Sequence, residues 1–262
     1  MRRISQLRAG AECIVIVYGR IELNEYILTA AIYAAAGFVQ GLTGFGSALV
    51  AIPLMTIYMP LSEAVAVSIL CGVVLNAQVG WSYRRYADRE RLRPLFIGAA
   101  PGVLAGVYLL HNVPGDMMKA GMGVFLMLYA AYGLFFERVK AKGISRRWGY
   151  LAGFASGAIG AAFSAGGPPT VVYATLTGWP KDVIKAALAY FFFAVCIVSA
   201  GAHAASGMWS LKVLTMFALT APALWFGTRL GIRFSGGIGE RTYRRLLFTM
   251  LACMGVLMLR PF

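Results

Sequence analysis

The residues best suited to chemistry in this chain lie in two glycine-rich runs, each inside an apolar segment. One run is Gly37 to Gly46, and the other is Gly153 to Gly160 with Gly166 to Pro169 after it. A single shift of 116 residues aligns five positions of the two runs without a gap. These pairs are Gly37 with Gly153, Phe38 with Phe154, Gly41 with Gly157, Gly44 with Gly160 and Pro53 with Pro169. Interrupted apolar segments at matching places in two halves typify the binding sites of secondary transporters.

The chemistry of such breaks is anion binding by the backbone. Glycine lets the chain leave helical geometry and approach a ligand closely. A helix that restarts after the break presents unpaired N–H groups and a positive dipole end, which bind anions without a cationic side chain. Pro168 suits the first turn of such a helix, because its missing N–H costs nothing there.

Polar side chains beside the breaks could add donors. Asn76 and Tyr190 join them because lipid would penalise an exposed amide and because a phenol has a polar end. The candidate substrate-binding residues are Gln40, Thr43, Gly44, Phe45, Gly46, Ser47, Asn76, Ser164, Gly166, Gly167, Pro168, Thr170 and Tyr190. The competing interpretation is that the glycines only let helices pack closely. It is favoured for any single glycine, whereas the paired arrangement favours a binding site.

The composition indicates which kind of protein must position these residues. The chain has 262 residues, of which 60% are hydrophobic and 13% charged, whereas soluble domains carry about 25% charged residues. We therefore expect an all-α, polytopic transmembrane bundle. The net charge of +14 lies mostly in short loops, which indicates topology control by the positive-inside rule and not a nucleic-acid partner. The expected partners are a small anion and the lipid bilayer; a homo-oligomer is left open.

Apolar runs predict five segments in each half of the chain. They are 26–44, 47–60, 63–81, 94–110 and 117–136, then 148–164, 168–178, 183–203, 211–230 and 243–260. Segments 47–60 and 168–178 are short, so each is a candidate broken or re-entrant helix. The predicted organisation is a tail (1–25), a first repeat (26–136), a basic cytoplasmic connector (137–147) and a second repeat (148–262).

Loop charges predict that the two repeats are inverted. The loop 82–93 is rich in arginine, but its counterpart 204–210 has no Lys or Arg; loops 111–116 and 229–245 show the reverse. Equivalent loops then lie on opposite sides of the membrane, as an odd number of segments per half also requires. The basic tail alone disagrees. A weaker repeat signal aligns Pro101 and Gly106 with Pro222 and Gly227 at a shift of 121 residues.

Several kinds of site are not visible in the sequence. All ten carboxylates fall in loops or at segment ends, whereas proton relays usually need acids within the membrane. We expect His111 and His203 to be solvated at loop edges, and Asp182 with Lys181 and Lys185 to form an interfacial charge cluster. Since no nucleophile arrangement or metal-ligand spacing is present, we expect no enzyme activity, no metal and no cofactor.

The motifs quoted above resemble those of the sulfite exporter TauE/SafE family over about residues 30–260. They are the run Gly41 to Gly46 with Pro53, Ala64-Val65-Ala66, Arg84-Arg85, Gly153-Phe154 through Gly160, and Gly166 to Pro169. The resemblance implies movement of sulfite, sulfonates or related sulfur-containing anions across the cytoplasmic membrane, with the two runs forming the central substrate site. Two departures could touch the pathway: Ser47 replaces a common glycine, and Lys185-Ala186-Ala187 replaces an Arg-containing run that ends in Thr.

Three functions remain open on the sequence alone. The leading hypothesis is a secondary transporter that works by alternating access. The second is an anion channel of the same architecture. The third and least favoured is a membrane-embedded enzyme or an assembly partner, because no buried acid, base or metal cluster is visible and matching breaks would have no purpose in an assembly protein.

Overall fold

The computed structural model describes residues 24–42, 46–86, 88–135, 143–179, 181–234 and 240–259. Within these ranges it describes all side chains except those of Arg89, Phe135, Lys181, Asp182 and residues 240–247. The helices are α1 (24–42), α2 (Ala48–Met55), α3 (Leu61–Ser82), α4 (Arg89–Asn112), α5 (Gly115–Phe135), α6 (Trp148–Phe163), α7 (Gly167–Leu176), α8 (Lys181–Ala205), α9 (Leu211–Phe234) and α10 (Glu240–Leu259). A 3-10 turn covers Arg84–Tyr86. No strand occurs in the described ranges, so the all-α prediction is confirmed.

Helix length separates the spans from the broken segments. Five of the described helices, α3, α4, α5, α8 and α9, are long and apolar enough to cross a membrane. Helices α2 and α7 have only 8 and 10 residues. At a rise of about 1.5 Å per residue they cover at most half of a hydrocarbon core that is about 30 Å thick. The predicted short, broken segments are therefore present in both halves.

One predicted boundary was wrong because a capping residue was overlooked. The segment predicted to begin at residue 94 is α4, which begins at Arg89. The Asp88 side chain accepts hydrogen bonds from the backbone N–H groups of Glu90 (3.0 Å) and Arg91 (3.4 Å). This cap satisfies two of the first N–H groups of the helix and extends it ahead of the apolar run.

Glycines bring the first helix of each half against the fourth helix of the other half. A Cβ atom on Gly41 in α1 would lie 2.3 Å from the carbonyl oxygen of Thr228 in α9. A Cβ atom on Gly153 in α6 would lie 2.2 Å from the carbonyl oxygen of Leu95 in α4. These backbones approach more closely than any side chain permits, so close packing is the role of these particular glycines.

The same contacts correct the weaker repeat signal. Gly98 and Gly102 in α4 face Tyr150 and Phe154, while Gly227 and Gly231 in α9 face Ala34 and Phe38. Ala34 and Phe38 correspond to Tyr150 and Phe154 at the 116-residue shift. The equivalent positions of α4 and α9 are therefore 129 residues apart, as Gly98 and Gly227 are, and the shift of 121 is wrong.

Polar contacts define the two ends of the bundle. At the Glu63 end, where α1, α3 and α9 begin, Lys212 Nζ lies 3.1 Å from Glu25 Oε2 and 3.2 Å from Glu63 Oε2. At the Tyr83 end, α3 finishes and α8 begins. Helices α4 and α6 also begin there, and Arg146 donates to the Glu90 carbonyl. The first helices of the two halves begin at opposite ends, as an inverted repeat requires; whether the halves superpose as such a repeat stays a prediction, and so do the predicted domain limits.

The interior forms two hydrophobic clusters. The larger one is built mainly from α1, α2, α3, α5, α9 and α10, and the smaller one from α4, α6, α7 and α8. The outer surface is also apolar, with exposed side chains such as Leu104, Leu128, Phe226 and Leu230. An exposed apolar belt of this kind matches a lipid environment.

Candidate functional site

A side-chain hydrogen bond stabilises the break in the first half. Helix α1 is described to residue 42 and α2 begins at Ala48. The backbone N–H of Ser47 donates to the Gln40 side-chain oxygen. Gln40 therefore lies at the break, as predicted. Its side-chain oxygen accepts the Ser47 N–H and so caps the backbone just before α2. Thr43, Gly44 and Phe45 lie outside the described residues.

A backbone turn and close backbone packing form the break in the second half. Helix α6 ends at Phe163, and Ser164 takes a left-handed conformation with φ of 51°. A Cβ atom on Gly166 would lie 2.3 Å from the Ser156 carbonyl oxygen, so this position excludes every side chain. Gly167 then begins α7, and a Cβ atom there would meet nothing within 4 Å.

The start of α7 offers fewer donors than the sequence suggested. A helix leaves its first four N–H groups unpaired, and here those positions are Gly166 to Pro169. Pro168 and Pro169 carry no N–H, so only Gly166 and Gly167 can donate. The missing N–H of Pro168 costs nothing to the helix, but the two prolines halve its capacity to hold an anion.

A cavity of about 500 Å³ lies between the two breaks. Of the predicted residues, those that line it are Gln40, Gly46, Ser47, Asn76, Ser164, Gly166 and Gly167. The Asn76 amide nitrogen donates to the Gly72 carbonyl oxygen at 2.8 Å, within its own helix. The structure therefore brings seven predicted residues together, while their role in binding stays a prediction.

Three predicted residues do not line the cavity. Pro168 and Thr170 are buried inside the bundle. The Thr170 and Ser156 hydroxyls form a buried hydrogen bond that joins α7 to α6. Tyr190 is half-buried and packs against the cluster formed by α4, α6, α7 and α8. Thr170 is in a position to fix α7 rather than to bind a substrate.

Helical periodicity explains which residues the prediction missed. The residues of α8 that line the cavity are Lys185, Leu188, Ala189, Phe192, Val195 and Cys196. They recur at three- and four-residue spacing along one face of the helix, and Tyr190 lies off that face. On α3, Ser68 and Tyr83 share the lining face with Asn76, at spacings of eight and seven residues. Starting from Asn76, the same periodicity would have found both.

Lys185 contributes the only charged side chain among the described cavity-lining residues. Its Nζ atom lies 3.3 Å from the Tyr83 hydroxyl and 5.3 Å from the centre of the Tyr83 ring. The predicted charge cluster with Lys181 and Asp182 lies outside the described side chains. Lys185 and Ser82 are exposed at the Tyr83 end, so the cavity is accessible from that end.

The Glu63 end is closed by three layers of polar contacts. Ser68 is the first residue of α3 to line the cavity, and its hydroxyl bonds to that of Tyr33, which is 1% exposed. Next, the Thr29 and Tyr58 hydroxyls lie 2.9 Å apart. The ion pairs of Lys212 with the two glutamates complete the closure.

One histidine is not where the sequence analysis placed it. His203 is fully buried, and its Nε2 atom lies 3.1 Å from the Ala161 carbonyl oxygen. Its ring centre lies 5.7 Å from that of His111, which is exposed. The prediction of two solvated histidines was wrong for His203, because α8 continues to Ala205 and carries it inside the bundle.

Comparison with known proteins shows which family of sequences this chain matches. The family model "Sulfite exporter TauE/SafE" matches residues 29–258. A "Probable sulfite/organosulfonate exporter TauE" from Cupriavidus necator is 22% identical over 241 residues, covering 88% of this chain and 92% of that protein. A "Probable membrane transporter protein YunE" from Bacillus subtilis is 21% identical over 266 residues, covering 88% and 96%. No solved structure gives a significant match.

The match extends over most of the chain and includes both breaks, α3, α8 and α9. The apolar spans place this protein in a membrane, which it crosses several times. The chain belongs to the sulfite exporter TauE/SafE family of membrane transporters.

Proposed function

We propose that this protein is a secondary transporter that moves sulfite or an organosulfonate across the cytoplasmic membrane by alternating access. The observation that carries the proposal is the cavity between the two breaks, which is accessible at the Tyr83 end and closed at the Glu63 end. A carrier needs this state together with a second state in which the open and closed ends are exchanged.

The cavity suits a small anion in size and charge. Its volume of about 500 Å³ falls within the range of small-molecule sites, about 300–1,000 Å³. Among the described lining residues one lysine and no carboxylate contribute charge. The hydroxyl and amide groups of Ser47, Asn76 and Ser164 supply neutral polar atoms. The name of the Cupriavidus necator relative favours a sulfur-containing anion as the substrate.

An anion channel with the same architecture is the second candidate. A channel needs one continuous path, whereas the layers at Tyr33, Thr29 and Lys212 block the Glu63 end. These layers favour a carrier. Among the described residues, no group of three or more His, Cys, Asp or Glu side chains is placed to hold a metal ion.

Uptake of radiolabelled sulfite into proteoliposomes tests the proposal. We expect saturable uptake that unlabelled sulfoacetate inhibits and acetate does not, together with counterflow of labelled substrate. Comparing uptake with and without a pH gradient tests for coupling to protons. Ion currents without counterflow would replace the carrier with a channel, and no uptake by folded protein would remove sulfite as the substrate.

A further inference from the structure

Lys185 supplies a fixed positive charge that neither glycine break provides. We propose that Lys185 selects substrates by net charge, which presupposes the transport function proposed above. On this basis the cavity takes sulfite or an anionic sulfonate and disfavours a sulfonate that carries its own ammonium group. Nothing in the names of the relatives distinguishes these two kinds of sulfonate.

The position of Lys185 places its charge in the cavity. It belongs to the lining face of α8, one turn before Leu188 and Ala189. The Tyr83 hydroxyl and ring hold its Nζ atom at the end of α3. A substrate that enters from the Tyr83 end therefore meets this ammonium group before it reaches Asn76 and the breaks.

The Lys185 ammonium group has no anionic partner among the described side chains. No described carboxylate lies within 4.0 Å of Lys185 Nζ, whereas Lys212 has two such partners and Arg91 has one. Among the described side chains, the partner of the ammonium group is the neutral Tyr83 phenol.

Several backbone N–H groups at the two breaks are absent or already paired. Only Gly166 and Gly167 can donate at the start of α7, because prolines follow them. At the start of α2, Ser47 N–H donates to Gln40, Leu49 N–H to Gly46 and Val50 N–H to Ser47. Lys185 therefore adds a cationic donor to the backbone N–H groups that the breaks offer.

The same charge opposes an aminosulfonate. An ammonium group presents three N–H donors to the oxygens of sulfite or a sulfonate. A second ammonium group on the substrate would be repelled by Lys185, and no carboxylate among the described lining residues would bind it. Anionic sulfonates should therefore bind more tightly than zwitterionic ones.

The first part of the test uses the wild-type protein in proteoliposomes. Sulfoacetate, which is anionic, and taurine, which is zwitterionic, compete with labelled sulfite. We expect sulfoacetate to inhibit at a concentration about ten times lower than taurine, since Lys185 repels the taurine ammonium group and like charges at close range are unfavourable. Equal inhibition by the two compounds would overturn the charge selection while leaving the transport function intact.

The second part removes the charge. Lys185→Gln should raise KM for sulfite about ten- to a hundredfold and abolish the preference for sulfoacetate over taurine. Lys185→Arg keeps the charge and should stay within about threefold of the wild-type KM. The elution profile and thermal unfolding of each variant in detergent confirm that it is folded.

The matched control is Arg84→Gln at the same end of α3. Arg84 lies 4.6 Å from the centre of the Trp81 ring, so it also stacks on an aromatic side chain, but it does not line the cavity. We expect this variant to change KM by no more than about twofold, because Arg84 lies outside the cavity. An equal effect of both Gln variants would show a general surface attraction and overturn the role of Lys185. Absence of sulfite uptake by the wild-type protein would overturn the transport function and the inference with it.

Discussion

The two breaks come from similar runs of sequence, but different contacts hold them in place. In the first break, a side chain from α1 caps Ser47, and seven of the eight residues of α2 are buried. In the second, the backbone turns at Ser164 and Gly166, and only four of the ten residues of α7 are buried. The two similar runs thus both lie at breaks beside the cavity, but different contacts support them. Helix α2 belongs to the core, whereas α7 depends on a few specific contacts.

The largest difference should appear when a methyl group is added to the last glycine before each short helix. Gly166→Ala places Cβ 2.3 Å from the Ser156 carbonyl oxygen, and overpacking against backbone should cost about 3 kcal/mol. Gly46→Ala meets nothing within 4 Å, and should stay within about 1 kcal/mol of the wild type. The apparent Tm of each purified variant measures the difference. Equal Tm values would contradict the close contact at the second break.

A smaller loss should follow when the hydroxyl pair that fixes α7 is broken. Thr170→Val keeps the shape of the side chain but leaves the buried Ser156 hydroxyl without this partner. We expect a loss of about 1–3 kcal/mol. Thr175→Val on the same helix is the control, because Thr175 is exposed and its hydroxyl donates to the Val171 carbonyl within α7. If the two variants unfold at the same temperature, the hydroxyl pair does not fix α7.

The smallest effect should come from the cap at the first break. Gln40→Met removes the acceptor for the Ser47 N–H, and a lost cap costs about 1 kcal/mol. Gln78→Met is the matched control, since Gln78 Oε1 is buried without a hydrogen bond among the described residues. Thermal unfolding should show Gln40→Met below the control. The opposite order would mean that burial of α2 alone fixes the first break.

The sequence predicted the helices well because apolar runs of sufficient length must be helical in a membrane. The predicted start of α4 was too late because the prediction did not include the Asp88 cap. It also paired Pro101 with Pro222, at a shift eight residues shorter than the one that the helix contacts define. Eight residues are close to two full turns at about 3.6 residues per turn, so the wrong register kept the glycines on a similar face.

The candidate site was predicted in part for a similar reason. Glycine and proline mark a break directly, so both breaks were found. Which side chains face the cavity depends on helix rotation, and that is fixed by packing partners far away in sequence. Tyr190 was chosen for its chemistry, although Lys185 occupies the face of α8 that lines the cavity. The buried state of His203 depends on contact with Ala161 in α6, which no local pattern reveals.

The most direct test of the central claim, that substrate passes through the cavity between the breaks, is sulfite uptake by Gly167→Leu. A Cβ atom on Gly167 meets nothing within 4 Å, and the residue lines the cavity, so a leucine should fill the cavity without disturbing the fold. Gly121→Leu is the matched control, because Gly121 has equally open space on the exposed face of α5. We predict that folded Gly167→Leu loses sulfite uptake while Gly121→Leu transports at the wild-type rate. Wild-type uptake by Gly167→Leu would contradict the claim.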